Sequence, residues 1–338
     1  MSQTYYSGPG KAYLGTVGFQ PDAVNGAVTA HVEEKTTVRA SAQGGELFET
    51  LDDQVGKVAL VPFDNWNLLP TLFPPYLGVT TAVGSGYGAG ALAVGTDIMA
   101  TTKALGVVTT DGRQYPFIRG AMTKHPTMKL VPGAPLFGGI ELTALGALGV
   151  LPGANNFLMS GNAIVESAAT DPDAVGFGIA DFGQTHWTMD ASGWGTVFGA
   201  GEAEDGWEIV PEVKYNIITI QKISRIIKLA SARFMIKARL SSPNAGWHTT
   251  LVGKILSHTS GGVLSEGTLA GGGAPLDLKL NGSNGKVITL KNCEVKNANF
   301  EFGGTRLNTG EIGFVSTVIP APVPGALSTY PASLIFSA

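Results

Sequence analysis

Cysteine is almost absent: Cys293 is the single thiol in 338 residues. That excludes an intrachain disulfide and a cysteine-based zinc cluster, and it fits assembly in a reducing cytoplasm. Charge is scarce as well, at 14 % of residues with a net of -4, so nothing electrostatic favours tight binding to nucleic acid. Long apolar runs are missing. The longest, around Leu142 to Leu151, is broken by Gly146 and Gly149 and stopped by Pro152, well short of the ~20 residues of a spanning helix. The opening MSQTYYSGPG has neither the basic start nor the apolar run of a signal peptide. The expectation is a chain that is soluble until it assembles, with no membrane partner.

Motifs that carry chemistry are equally thin. Gly88-Ala89-Gly90-Ala91-Leu92-Ala93 loosely imitates a dinucleotide-binding fingerprint, but no parallel βαβ pattern surrounds it, and it reads as a flexible loop. The five histidines, at 31, 125, 186, 248 and 258, show no metal-ligand spacing. There is no GxSxG elbow, and Ser192 and Ser260 have no evident base partner. Asp52 and Asp53 are adjacent; neighbours on a strand point to opposite faces, which suits a turn or solvated edge better than an acid/base dyad. The expectation is no enzyme, no cofactor and no metal.

What the chain does have is glycine, 47 residues, and 44 % apolar residues, the composition of a turn-rich β-protein that hides surface against partners. It also repeats itself. DGRQYPFIRGA at 111–121 returns as NGKVITLKNCE at 284–294, offset 173, and Gly138, Ile140 and Leu142 return as Gly310, Ile312 and Phe314, offset 172. Ser7-Gly8-Pro9-Gly10 matches Ser192-Gly193-Trp194-Gly195. Lys57-Val58-Ala59-Leu60 matches Lys237-Ala238-Arg239-Leu240 at offset 180, and Trp66 matches Trp247 at offset 181. Five matches in one order, with slowly drifting offset, predict two tandem copies. The expected division is 1–144 and 192–318, joined by a linker or insertion at 145–191 and followed by an extended arm, 319–338, with prolines at 320, 322, 324 and 331. Such an arm must lie on its own domain or on a neighbour if it is ordered.

Residue type and alternation predict strands at Val32 to Val38, Lys57 to Val61 and Arg113 to Ile118, and most clearly where Phe234, Ile236, Ala238 and Leu240 alternate with Arg233, Lys237 and Arg239. One amphipathic helix is expected per copy. Trp66, Leu69 and Phe73 follow the capping Asp64, with Pro70 against the pattern; Trp247, Leu251 and Ile255 follow Pro243-Asn244. Each copy is thus mostly strand with one helix packed on it.

The sparse charge is unevenly placed: nine basic against fourteen acidic residues in 1–173, thirteen against twelve in 174–338. Near the turn between the early strands, copy one carries Glu33, Glu34, Glu46, Glu49, Asp52 and Asp53 against Lys35 and Arg39. Copy two carries Lys222, Arg225, Lys228, Arg233, Lys237 and Arg239 with no acid. A basic stretch interleaved with Ile223, Ile226, Ile227 and Leu229 suits phosphate or a membrane surface, and a solvated hairpin is the plain reading. Complementary charge between the copies accounts for both stretches at once, and so points to self-association.

Four phrases, EEKTTVRAS (33–41), ETLDDQVGK (49–57), PFDNWNLLPTLFPPYLG (62–78) and TKHPTMKL (123–130), resemble stretches of the tail tube, or major tail, proteins of long-tailed bacteriophages and prophages. The likeness is clearest over the first ~140 residues and rests on the internal repeat beyond them; none of the phrases is a mechanistic motif. The resemblance implies a mainly β fold, two tandem β-sandwich or barrel domains each with a flanking helix, sheets joined between subunits into rings, and rings stacked into a hollow tube. It implies a virion protein assembled in the bacterial cytoplasm, three chains per pseudo-hexameric ring, with tape-measure, distal tail and terminator proteins as partners. Phage DNA would touch the lumen only in transit, during ejection. Carried over by position, Ala40 to Asp53 and Gln221 to Ala232 are the loops between subunits, with Glu46, Glu49, Asp52, Asp53, Lys222, Arg225, Lys228 and Arg233 as contact residues. The alternatives are another tail structural protein, distal or terminator; a double β-sandwich that binds a receptor or glycan; and a hydrolase with a site near His186 and Trp187.

Overall fold

In the computed structural model, residues 10–14, 17–19, 27–40, 46–60, 79–81, 103–109, 114–133, 138–145, 185–220, 224–241, 275–296, 300–303, 306–316 and 334–337 are described. In the first part of the chain the strands are β1 (Lys11–Leu14), β2 (Val17–Phe19), β3 (Val28–Ala40), β4 (Glu46–Leu60), β5 (Val79–Thr81), β6 (Lys103–Val108), β7 (Gln114–Lys124), β8 (Met128–Leu130) and β9 (Ile140–Leu145). The second part has β10 (Trp187–Met189), β11 (Gly201–Ile220), β12 (Ser224–Leu240), β13 (Leu276–Gly282), β14 (Val287–Lys296), β15 (Phe300–Gly303), β16 (Arg306–Thr309), β17 (Ile312–Ser316) and β18 (Leu334–Ser337). Among the described residues the single helix is one turn, α1 (Gly195–Phe198). The expected mainly β fold is what the chain forms; the helices expected at Trp66–Phe73 and Trp247–Ile255 lie outside the described residues.

The second part closes into a six-stranded barrel. Its ring runs β13, β10, β11, β12, β17, β14 and back to β13 through the β13–β14 hairpin. The predicted alternation explains why: Phe234, Ile236, Ala238 and Leu240 all face the buried interior, so β12 presents one apolar face to the core. Two indoles tie the barrel end, Trp207 Nε1 donating to the Trp187 carbonyl and Trp194 Nε1 to the Cys293 carbonyl, both at 3.0 Å. Both tryptophans are buried, and buried indole N–H groups need such partners. Phe198 and Phe314 pack on Trp194 with ring centroids 5.7 and 6.0 Å away.

The first part forms an open seven-stranded sheet, in order β2, β1, β6, β7, β9, β4, β3. From β1 to β3 its strands occupy the same places as β10, β13, β14, β17, β12 and β11 in the barrel. The barrel is closed by β10 pairing with β11, whereas among the described residues β3 ends the first sheet. One apolar cluster joins the two parts, including Val58, Leu105, Phe117 and Leu142 from the first, Met128 and Leu130, and Trp207 and Phe314 from the second.

This order corrects two of the sequence matches. The strand in the place of β1 is β10, which precedes Ser192; Ser192 to Gly195 form the turn into α1. The glycine match pairs the entrance of β1 with the exit of β10. The lysine match is out of register by two residues. Val58 faces Leu142 across β4 and β9 while Ile236 faces Phe314 across β12 and β17, so with Leu142 matched to Phe314, Lys57 takes the place of Met235. A two-residue slip leaves every side chain on its own face, so alternation alone cannot detect it.

The ends of the stretches expected as linker and arm are both in the barrel's sheet. Within 145–191, Trp187–Met189 is a ring strand pairing β11 and β13. Within 319–338, Leu334–Ser337 pairs antiparallel with β14, and β5 adds to it in parallel. Of the two supports open to the arm, this segment uses its own chain. Outward-pointing Met235, Val315 and Glu294, neighbours across three barrel strands, are only 6 %, 4 % and 9 % exposed. That outer face is therefore shielded from solvent.

Candidate assembly interface

Two long antiparallel hairpins leave the sheets at equivalent places. β4 pairs with β9 only over Gly56–Leu60, so its first ten residues pair with β3 alone. β12 pairs with β17 only over Met235–Ala238, and beyond that β11 and β12 pair with each other as far as Ile220 and Ser224. At ~3.4 Å per residue each hairpin reaches roughly 35 Å past its sheet. β-Branched residues recur in both, Thr and Val in the first and mainly Ile in the second, as suits extended backbone with half-solvated faces. The stretches expected as loops are therefore mostly strand: Glu46 to Asp53 belong to β4 and Ser224 to Ala232 to β12. Hairpin pairing, once begun, continues while each strand supplies backbone donors and acceptors to the other.

On the first hairpin Glu49 is exposed and lies opposite Val38, Glu46 opposite Ala40, and Asp53 opposite Lys35. Asp52 is the extra residue of a bulge between the Lys35 and Thr36 pairs. Nearer the sheet, Lys57 Nζ lies 2.7 Å from Glu33 and 3.4 Å from Glu141, and His31 lies 3.6 Å from Glu33. The hydrogen bond from Lys57 lowers the Glu33 carboxyl below its ordinary range and raises the lysine above its own.

On the second hairpin Arg225 stands opposite Thr219, exposed Lys228 opposite Asn216, and Arg233 opposite Glu212, with which it forms an ion pair. Arg233 thus meets an acid of its own chain. The pair is not legible along the chain, because Glu212 is 21 residues away and enters only through strand register. Lys222 lies outside the described residues. The two hairpins carry exposed aliphatics, Val38 at 49 % and Ile218 at 45 %. Single exposed aliphatics are common; here one falls on each hairpin, within one residue of the same level.

The second hairpin is braced by the first part of the chain. β8 pairs with β11, Leu130 opposite Trp207, Lys129 opposite Glu208 and Met128 opposite Ile209. His125 Nε2 and the Tyr215 hydroxyl are 2.6 Å apart. Gly206, at φ +75°, makes the bulge that lets β8 approach, since a Cβ there would sit 2.7 Å from the Leu130 carbonyl oxygen.

The candidates for chemistry are not brought together. His186 is exposed, while Trp187 faces the barrel interior. Ser192 donates to Asp190, 2.5 Å away, and no histidine appears among the described partners of that pair. Gly88 to Ala93, His248, His258 and Ser260 lie outside the described residues. Among the described residues no group of three or more His, Cys, Asp or Glu side chains is placed to hold a metal. The chain matches no protein-family model and no curated protein.

Proposed function

We propose that this protein is a structural subunit that polymerises into a hollow tube, as the tail tube proteins it resembles do. The observation that carries the reading is the repeated strand order, with a ~35 Å hairpin issuing from the same strand pair each time. In this reading the two parts are tandem tail-tube-like domains, each a β-sandwich or barrel with one flanking helix, and three chains complete a pseudo-hexameric ring. The mainly acidic first hairpin and the mainly basic second one join successive rings, so the self-contact is complementary in charge. An open sheet ending on β3 is an aggregation liability for a free monomer, and pairing within a closed ring removes it. A net charge of -4 suits a lumen through which DNA must slide during ejection, because a basic wall would hold the phosphates. Tape-measure, distal tail and terminator proteins would cap and gauge such a tube in the virion, and no catalysis or cofactor is involved.

Electron microscopy of the purified chain at rising concentration tests this. The expected outcome is stacked rings whose end-on views have sixfold-like density built from three chains. A ring of six chains would keep the tube and remove the duplication; a monodisperse monomer at every concentration would overturn the tube and favour a receptor- or glycan-binding double domain.

A further inference from the structure

The contact between the two parts of one chain has an unfilled counterpart. Three residues after β7 the chain forms β8, with apolar, charged, apolar residues Met128, Lys129 and Leu130, and lays it on the outer edge of β11. Three residues after β14, the strand in the place of β7, the chain forms β15, which reads Phe300, Glu301, Phe302. The offset, 172, is that of the match between Ile140 and Ile312 that follows. Yet β15 joins neither sheet; it pairs with β16 in a separate two-stranded ribbon, which occupies one of its edges. The strand in the place of β11 is β3, and among the described residues it has β4 on one side and nothing on the other.

Register fixes where the two would meet. With Leu142 in the place of Phe314, pairing through β4 and β12 puts Val28, Thr29 and Ala30 in the places of Trp207, Glu208 and Ile209. Trp207 and Ile209 are buried, whereas Thr29 and Ala30 are exposed and Val28 half-buried. This is the exposure expected if a covering strand is supplied only by another molecule.

We propose that the outer edge of β3 at Val28 to Ala30 is the docking site for β15 of a second copy of this chain, with Phe302 opposite Val28, Glu301 opposite Thr29 and Phe300 opposite Ala30. The contact is head-to-tail, so each copy both gives β15 and receives one, and repetition closes a ring when the rotation allows. It makes the contact between chains equivalent to the β8–β11 contact within a chain, so that successive domains meet alike all round. Only the number of chains in the ring rests on the tube reading.

Disulfide trapping tests the register. Antiparallel partners sit about 4.5–5.5 Å apart at Cα, within the span a disulfide bridges. Cys293 is buried and is left in place. The double variant Thr29→Cys/Glu301→Cys, oxidised at concentrations where assemblies form, is expected to pass from monomer to covalent dimers and larger species on a non-reducing gel, with neither single variant doing so. If rings or tubes are visible by microscopy while the gel holds only monomer, the copies join elsewhere and this inference fails while the tube reading stands. If neither rings nor cross-links form at any concentration, both fail. Ala30→Glu, at an exposed position that leaves the monomer folded, is expected to raise the concentration needed for rings by at least about tenfold, through a carboxylate buried opposite Phe300. Unchanged assembly of that variant would also overturn the inference.

Discussion

Asp190 illustrates what a single side chain does in this barrel. Its carboxylate accepts from the Ser192 hydroxyl, the Asn281 amide and the Ser192 backbone N–H, with Lys279 3.7 Å away. These donors, the Ser192 hydroxyl first, lower its pKa from 3.8 to about 2. Because the folded value lies below the unfolded one, the stabilisation is present above pH ~4 and lost as pH falls toward ~2. Asp190→Ala should therefore lower stability by about 1 kcal/mol near neutrality, a figure discounted for a partly solvated site. That difference from the parent protein should vanish below pH ~2. Urea midpoints across pH check this; a difference that persists unchanged at low pH would show that the side chain acts otherwise. Asp190 does not stand out along the chain because Asn281 is 91 residues distant. Cys293 shows the converse. Its composition-level reading, a lone thiol with no disulfide, needed no structure, and burial within the barrel raises its pKa and keeps it protonated.

At the level of strands, alternation in Phe234 to Leu240 was legible because a half-buried strand must put apolar residues on every second position. The length of the hairpins was not. Exposed β-branched residues such as Thr36, Thr37 and Val38 fit a loop and a two-sided exposed strand equally well, and the partner strand decides between them. Glycine placement is also a strand-level matter. In β7, Gly120 lies between β6 and β9, and a Cβ there would stand 2.6 Å from the Leu105 Cβ. Gly120→Ala should destabilise the chain by about 1–3 kcal/mol through overpacking, despite alanine's lower backbone entropy. A thermal melt equal to or above that of the parent would mean that the first sheet relaxes around the added methyl.

In the proposed tube the hairpins would matter by their charge. Reversing Arg225 and Lys228 to Glu places acids on the second hairpin where the first already carries Glu46, Glu49, Asp52 and Asp53. Were rings to stack as proposed, like charges facing each other between them would repel by several kcal/mol. Exposed Lys228 and the outlying position of Arg225 leave the barrel core untouched. The chain should stay folded and soluble and lose tube growth, read as tube length by negative-stain microscopy. Tubes of unchanged length would remove these residues from the stacking contact.

The sequence by itself determined the things that depend on neighbours along the chain. These are the β character, the poverty of charge and thiols, the apolar face of β12, and the recurrence of short phrases in one order. Tertiary structure decided what depends on residues far apart meeting. It closed the second part into a barrel with Trp187 to Met189, and returned Leu334 to Ser337 to β14. It gave Arg233 the acid Glu212, set the register two residues from the phrase match and, among the described residues, left β3 without the strand that its counterpart β11 has. The physical reason is that side-chain alternation fixes which face a residue takes, while partner and register follow from backbone pairing across the sheet, and period two is blind to both.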